Sequence, residues 1–190
     1  MRSIDDILKL VCGFLNKERV DYVIVGGLAV IFHGIPRTTM DADIILQIKE
    51  DKMHKFIDFL KENRFFASLE DMRDAFSEKS HFTAEDKDSM IRLDIKGIYN
   101  KMDQQTFERR MDFVHKDTKI YLASPEDTIA NKLVYGSEQD IRDAEGIYAR
   151  QMGKLDLSYL ERVCRDMGVA DDLERLKKKI AQYLDEAAEI

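Results

Sequence analysis

Residues 23–46, VIVGGLAVIFHGIPRTTMDADIIL, decide the fold of this chain. The stretch begins as an apolar run, stops at the glycine pair Gly26 and Gly27, and continues as a second apolar run that opens with Asp41 and Asp43. The first run is β-branched and almost wholly apolar, which is typical of a strand buried on both faces. The stretch therefore predicts two strands close together, with a short helix and a loop between them.

Local signals set the bounds of these elements. Residues 20–27 predict the first strand, residues 28–33 a short helix closed by Gly34, and residues 41–48 the second strand. In the second strand, side chains two positions apart share a face. One face is apolar, whereas the other begins with both aspartates.

The rest of the chain divides at residue 123. Before it, Ser3 caps a first helix, and the remaining periodic segments predict a helix at 51–63, strands at 81–84 and 90–99, and a closing hairpin at 113–115 and 119–123. Residues 65–80 match neither a helix nor a strand pattern. We therefore expect an α+β core over residues 1–123.

From Ser124 onward the pattern is helical throughout. Ser124 with Pro125 predicts one helix start, and the pairs Ser158/Glu161 and Asp171/Glu174 predict two more, with Gly168 between the last two helices. We expect residues 124–190 to form a C-terminal helical region that packs on the core.

Composition restricts the function. The chain has 190 residues, of which 44% are hydrophobic, and its 37 acidic and 30 basic residues give a net charge of −7. Such a chain can bury a substantial core. A protein that coats duplex DNA without sequence preference is normally basic, since phosphate neutralisation supplies that affinity. Nonspecific duplex DNA binding is therefore disfavoured, while a local basic patch for one RNA stays open.

Cysteine and histidine usage excludes a disulfide framework and a zinc site. Cys12 and Cys164 are the two cysteines, and the four histidines are scattered without ligand spacing. The N-terminus lacks the apolar stretch of a signal peptide, and no segment approaches membrane-spanning length. These features indicate a soluble, cytoplasmic protein without a membrane partner.

Three aspartates are candidate metal ligands. Asp41 and Asp43 share a face of their strand, and Asp94 lies on the polar face of the strand predicted at 90–99. Neighbouring carboxylates repel each other unless a cation lies between them, and Mg²⁺ prefers such oxygen donors. The alternatives are a solvated aspartate pair and a simple salt bridge from Asp94 to Arg92 or Lys96.

The glycine pair is a candidate phosphate site. Glycine lets a ligand approach the backbone closely, and the start of a helix favours anions. Arg37 and Thr38 lie in the loop between the glycines and the aspartates, where an arginine can clamp a phosphate or pair with an aspartate. A tight turn that binds no ligand is the alternative.

With these residues the sequence resembles the DNA polymerase β-like nucleotidyltransferase superfamily. The motifs GGLAVIFHG, RTTMDADI, SPEDTIANKL and RDAEGIYARQ look most like the AbiEii-type toxin nucleotidyltransferases and their uncharacterised relatives, over residues 21–163. The resemblance implies a nucleotidyltransferase-type mixed β-sheet flanked by helices and followed by a helical bundle. It also implies transfer of a nucleoside monophosphate from a nucleoside triphosphate (NTP) to a hydroxyl group.

The resemblance implies a role for individual residues. Gly26 and Gly27 would bind the phosphates, and Lys132 matches a lysine near the triphosphate, while Arg37 and Thr38 are phosphate-binding candidates from their place in the loop. Asp41, Asp43 and Asp94 would be the catalytic carboxylates and would bind two Mg²⁺ ions, with Mn²⁺ as a substitute. Arg142 and Asp143 match a polar pair of unassigned role. Lys132 and Arg142 are also compatible with plain solvated helix positions.

Three functions are considered, and nucleotide transfer to RNA is the leading one. The toxin-like resemblance favours RNA, with an antitoxin as a further partner, and the basic residues Arg175 and Lys177–Lys179 support it unless they are a solvated helix face. Aminoglycoside nucleotidyltransferases, which act on a small molecule, share the double glycine and fit the acidic charge. A nucleotide-binding regulatory module with little turnover is the third. The superfamily often has serine where this chain has Gly27, which lowers the expected turnover more than nucleotide binding.

Overall fold

A mixed β-sheet organises the first part of the chain. The computed structural model describes residues 1–188, and within them seven strands form one sheet in the order β3-β4-β5-β2-β1-β7-β6. The strands are β1 (Asp21–Ile24), β2 (Asp41–Gln47), β3 (Phe65–Phe66), β4 (Phe82–Asp86), β5 (Arg92–Lys96), β6 (Met111–His115) and β7 (Thr118–Leu122). The helices are α1 (Ile4–Lys17), α2 (Gly26–Phe32), α3 (Glu50–Glu62), α4 (Leu69–Ser77), α5 (Lys101–Glu108), α6 (Pro125–Tyr135), α7 (Glu138–Gln151), α8 (Leu157–Asp166) and α9 (Ala170–Ala188). The predicted class, a mixed sheet with flanking helices and a helical C-terminal part, is confirmed.

The chain forms two compact units. One contains Met1–Leu28 and Arg37–Ala123, and the other contains Ala29–Pro36 together with the chain from Ser124 onward. The segment Ala29–Pro36 therefore belongs with the C-terminal helices, although it lies far from them in sequence. Packing of the helical region on the core stays a prediction.

Strand register in the first unit follows the hydrophobic pattern. β1 pairs antiparallel with β2, and β2 pairs parallel with β5. Ala42, Ile44 and Leu46 are buried, as the alternation in the sequence predicts. Since a slip by one residue would bury the aspartates instead, this apolar face specifies the register.

Local signals also explain α1 and α6. Ser3 accepts a hydrogen bond from the Asp6 N–H, and the Asp6 carboxylate bonds back to the Ser3 N–H, which is a capping box. Ser124 caps α6 by accepting a hydrogen bond from the Asp127 N–H, and Pro125 occupies the first turn. Both helix starts are therefore confirmed.

Two predicted caps are wrong. α8 begins at Leu157 because Asp156 accepts a hydrogen bond from the Tyr159 N–H, so Ser158 lies inside the helix. α9 begins at Ala170, which leaves Asp171 in its first turn. Gly168 does separate these helices, with a φ of 76° that favours glycine.

A separate apolar cluster fills the second unit. Its largest members come from α6, α7, α8 and α9, with Val30 from the segment Ala29–Pro36. Buried members include Ile129, Ile147, Leu160 and Leu173. None of the helices within residues 1–188 is both long enough and apolar enough to span a membrane.

Candidate functional site

The pairing of β2 with β5 brings the predicted carboxylates onto one face. Asp43 and Asp94 are directly paired residues in the parallel register, and Asp41 lies two positions before Asp43. All three side chains are partly exposed, whereas the alternate positions Ala42 and Leu93 are buried. The face that the alternating pattern predicted for these aspartates is therefore present, with neighbouring strands as its base.

Gly26 is tightly coupled to Asp43. Gly26 has a φ of 61°, and a Cβ added there would lie 2.0 Å from Oδ2 of Asp43. Only glycine combines this left-handed backbone with such a close approach. The glycine and the aspartate, 17 positions apart in sequence, thus lie against each other.

Gly27 lies under the loop that precedes β2. A Cβ on Gly27 would be 3.1 Å from Oγ1 of Thr39 and 3.5 Å from Cζ of Arg37. A serine here, as in much of the superfamily, would crowd Thr39. The structure therefore places Arg37 beside Gly27, whereas Thr38 is exposed, and phosphate binding by either residue stays a prediction.

Thr39 fixes the end of this loop and was missed by the sequence analysis. Its hydroxyl donates to the Asp41 carbonyl at 3.1 Å and accepts from the Asp41 N–H at 3.3 Å. A threonine two residues before an aspartate at a strand start is a signal for such a turn. The turn orients the backbone at the first of the three aspartates.

Arg92 holds Asp41. Its Nε and Nη2 atoms lie 2.8 Å and 2.7 Å from Oδ1 of Asp41. The hydrogen bond to Asp41, followed by the charges of Asp41 and Asp94, raises the pKa of Arg92 above its ordinary value. Arg92 therefore pairs with Asp41 rather than with Asp94, the partner considered from sequence.

Asp94 has a different partner. Thr83, its paired residue on β4, donates a hydrogen bond to Oδ1 of Asp94 at 2.6 Å. Lys96, the other partner considered from sequence, instead contacts the buried Asp103 at 2.7 Å. Thr83 was also missed, because the sequence predicts the two strands but not the register in which β4 and β5 pair.

The three carboxylates suit a hard cation by their chemistry. Carboxylate oxygens are the donors that Mg²⁺ prefers, and strand register places these three on one face. Across residues 1–188, however, no three His, Cys, Asp or Glu side chains are gathered as a metal site. Asp41 accepts a hydrogen bond from Arg92, and Asp94 accepts one from Thr83. The three residues therefore match Mg²⁺ in donor type and share one face of the sheet, while Oδ1 of Asp41 is engaged by Arg92.

Lys132 is engaged within the second unit. Its ammonium lies 2.5 Å from Oδ1 of Asp140 and 3.1 Å from Oδ2 of the fully buried Asp143. Burial opposes a low pKa at Asp140, but hydrogen bonds from Lys132 and Ser137 outweigh it and lower the pKa. These contacts give Lys132 a structural role, and its predicted role at the triphosphate stays a prediction.

The basic run near the C-terminus is largely ion-paired. Lys177 contacts Glu161 and Glu174, at 2.5 Å and 2.9 Å. Lys179 contacts Glu145 at 2.7 Å, and Arg175 pairs with Asp172. The run is therefore a set of ion pairs on the helical unit, with much of its charge already balanced.

The mixed sheet places the glycine pair against β2, which carries Asp41 and Asp43, and Asp94 lies on the neighbouring strand β5. This combination is typical of a nucleotidyltransferase-type domain. The chain belongs to the family described as "Nucleotidyltransferase of unknown function (DUF6036)", whose model matches residues 1–185. The expected superfamily is therefore confirmed, whereas the closer similarity to AbiEii-type toxins stays a prediction. No curated protein matches the sequence.

Solved structures share the fold. An antigenic nucleotidyltransferase-like protein from Paracoccidioides brasiliensis is 16% identical with a TM-score of 0.58, covering 92% of this chain and 91% of its own. ANT(2'')-Ia in complex with adenylyl-2''-tobramycin is 11% identical with a TM-score of 0.58, covering 86% and 95%. The lincomycin-bound lincosamide antibiotic adenylyltransferase LnuA is 20% identical with a TM-score of 0.50, covering 74% and 93%. At these identities the similarity demonstrates the fold alone.

Proposed function

We propose that this protein transfers a nucleoside monophosphate from an NTP to a hydroxyl group of a small molecule, with Mg²⁺. The observation that carries the proposal is the contact between Gly26 and the Asp43 side chain, with Asp94 paired beside Asp43. This arrangement places the glycine pair beside a group of carboxylates. A metal-bound triphosphate needs both at once.

The phosphate groups would be held by the glycine pair and Arg37. Gly26 and Gly27 carry no side chain to block an approaching phosphate, and the Arg37 guanidinium lies beside Gly27. A guanidinium can donate two parallel hydrogen bonds to a phosphate. These groups would fix the triphosphate against the strand that carries the aspartates, and fixed positioning is a large part of catalysis in such reactions.

The reaction requires one proton acceptor. The acceptor hydroxyl oxygen forms a bond to the α-phosphorus, the bond from that phosphorus to the β-phosphate bridging oxygen breaks, and pyrophosphate leaves. The hydroxyl proton passes to the carboxylate of Asp94, as the family resemblance implies. Asp41, Asp43 and Asp94 would hold the Mg²⁺, whose chemical contribution is to stabilise the charge on the phosphates.

Charge favours a small acceptor over RNA. The net charge is −7, and the residues Arg175, Lys177 and Lys179 are ion-paired with acidic side chains. An RNA-binding surface needs cations that remain available for phosphates. ANT(2'')-Ia and LnuA, which share the fold, are described with antibiotics as bound molecules. An RNA acceptor thus has less support than a hydroxylated small molecule.

The test is nucleotide transfer with matched variants. The purified protein would be incubated with each NTP and Mg²⁺, with panels of aminoglycosides and lincosamides and, separately, with total tRNA. Pyrophosphate release and product mass would be measured. Asp43→Asn is the site variant. The control is Asp112→Asn, which removes a carboxylate on β6 that pairs with Lys119 on β7.

We expect Mg²⁺-dependent adduct formation on a small molecule, lost in Asp43→Asn and retained in Asp112→Asn. If tRNA gains a nucleotide and no small molecule does, the acceptor is RNA and the proposed nucleotide transfer still holds. Nucleotide binding without transfer to any acceptor would favour the regulatory module. Equal activity in Asp43→Asn and wild type would refute the proposed site.

A further inference from the structure

We propose that Arg92 stays paired with the Asp41 carboxylate until a cation and a triphosphate bind. Its guanidinium then leaves the carboxylate and binds a phosphate. This inference rests on the proposed function, because it assumes that Asp41 binds the cation. It adds an ordering role for a residue that is neither a metal ligand nor a proton acceptor. Arg92 would make cation binding dependent on the nucleotide.

The geometry places Arg92 directly at Asp41. The two residues are paired in the parallel register of β2 and β5, and the Arg92 N–H donates to the Met40 carbonyl at 2.9 Å. Two nitrogen atoms of the guanidinium, at 2.8 Å and 2.7 Å, contact the same oxygen, Oδ1 of Asp41. The guanidinium is thus held where a cation bound to that oxygen would lie.

The Arg92 guanidinium and a divalent cation compete for the Asp41 carboxylate, because both are positively charged. The guanidinium stays protonated at any physiological pH, so it would repel a divalent cation at the same carboxylate. One carboxylate oxygen cannot keep two short guanidinium hydrogen bonds and also bind a cation at close range. Cation binding at Oδ1 of Asp41 therefore requires Arg92 to move, and a cation at Oδ2 of the same carboxylate would still be repelled by the guanidinium.

Arg92 has the freedom to move. Its side chain is 50% exposed, and Asp41 is 34% exposed, so the pair lies at the edge of solvent. Exposed ion pairs are weak and easily rearranged. Asp94, two residues further along β5, remains beside Asp43 whatever the Arg92 side chain does, because strand pairing fixes its backbone.

A triphosphate offers Arg92 a new partner. Phosphate oxygens accept parallel hydrogen bonds from a guanidinium at least as well as a carboxylate does. The cation then binds the Asp41 carboxylate, and the Arg92 guanidinium donates hydrogen bonds to the phosphate. Each ligand would favour the other, and by linkage this effect is equal in both directions.

The experiment measures cation binding directly rather than turnover. Mn²⁺ would be titrated into the full-length protein, with and without a non-hydrolysable ATP analogue, and free Mn²⁺ followed by electron paramagnetic resonance. The variants are Arg92→Gln, the control Arg64→Gln and the site variant Asp43→Asn. Arg64 forms an exposed pair with Asp88 that resembles the Arg92 pair in type and exposure, so the control removes the same charge elsewhere in the unit.

We expect Arg92→Gln to bind Mn²⁺ alone about 3- to 10-fold more tightly than wild type, from the loss of one nearby positive charge. In the same variant the analogue should strengthen Mn²⁺ binding less than it does in wild type. Arg64→Gln should match wild type in both measurements. This combination would support the exchange.

The Mn²⁺ titration distinguishes a wrong role for Arg92 from a wrong proposed function. If Arg92→Gln binds Mn²⁺ no better than wild type while Asp43→Asn abolishes binding, the function stands and the role of Arg92 is overturned. The same holds if Arg64→Gln strengthens binding as much as Arg92→Gln. If neither wild type nor Arg92→Gln binds Mn²⁺, with or without the analogue, both the proposed function and the inference are overturned.

Discussion

Replacing Gly26 by alanine tests the contact on which the site depends. The added Cβ would lie 2.0 Å from Oδ2 and 2.7 Å from Cγ of Asp43, and the backbone φ is 61°. A left-handed backbone costs an L-residue about 1–2 kcal/mol. Overpacking of this kind costs about 1–3 kcal/mol more. We therefore expect Gly26→Ala to lower the free energy of unfolding by about 2–5 kcal/mol.

The matched control is Gly153→Ala. Gly153 also has a positive φ, 83°, but a Cβ there would meet nothing within 4 Å. This variant carries the backbone cost without the clash, so we expect a loss of about 1–2 kcal/mol. The difference between the variants isolates the contact with Asp43.

Urea unfolding followed by circular dichroism would measure both variants, and Mn²⁺ titration would report on the carboxylates. Because Asp43 must shift to admit the methyl group, Gly26→Ala should also lose cation affinity, whereas Gly153→Ala should keep it. A Gly26→Ala protein as stable as Gly153→Ala, with unchanged Mn²⁺ binding, would refute the packing argument.

Three further predictions concern buried and paired groups. Lys132→Met removes an ammonium group 3.1 Å from the buried carboxylate of Asp143 and should lower the free energy of unfolding by about 3–5 kcal/mol in urea titrations. Burial raises the pKa of Cys12 and of Cys164 to about 12, so Ellman's reagent at pH 8 should modify neither thiol in the native protein and both in urea. Hydrogen bonds from Lys116 and then His115 hold the pKa of Asp5 below 3.8, so its stabilising effect is present above that pH and lost as the pH falls through the lower native value. The melting temperature of Asp5→Asn should therefore approach that of wild type as the solution is acidified.

Each of these has its own control or contrary result. Lys178→Met changes an exposed lysine on α9 and should alter stability by no more than about 0.5 kcal/mol. Equal losses in Lys132→Met and Lys178→Met would contradict the buried ion pair. Rapid native modification of either thiol would contradict the burial of the cysteines. A constant gap in melting temperature between Asp5→Asn and wild type from pH 6 to pH 2 would contradict the role given to Asp5.

Sequence periodicity predicted the parts of the fold that depend on one strand or helix at a time. The alternation in residues 41–48 gave the buried and exposed faces of β2, and the capping patterns at Ser3 and Ser124 gave two helix starts. α5 was missed because it is short and mostly polar, although Asn100 caps it at the Asp103 N–H. Weak periodicity in such a helix leaves the cap as its main signal.

The site was predictable in its residue types but not in its pairings. Alternation placed Asp41 and Asp43 on one face of their strand and Asp94 on the polar face of another, since it fixes faces within each strand. It could not show that Arg92 contacts Asp41 or that Thr83 contacts Asp94, because these contacts depend on which strands are neighbours and in which register. The close approach of Gly26 to Asp43 is likewise a tertiary contact. The sequence indicated only that glycine at this position allows another group to approach the backbone closely.

The central claim is that one face of this sheet binds an NTP together with Mg²⁺. The most direct measurement is thermal unfolding of wild type and Asp43→Asn with each of the four NTPs, with and without Mg²⁺. At a ligand concentration about 100-fold above Kd, binding adds about 2.7 kcal/mol and should raise the melting temperature by a few degrees. We predict such a rise for at least one nucleotide, dependent on Mg²⁺ and lost in Asp43→Asn. No rise with any nucleotide, or an equal rise in Asp43→Asn, would contradict the claim.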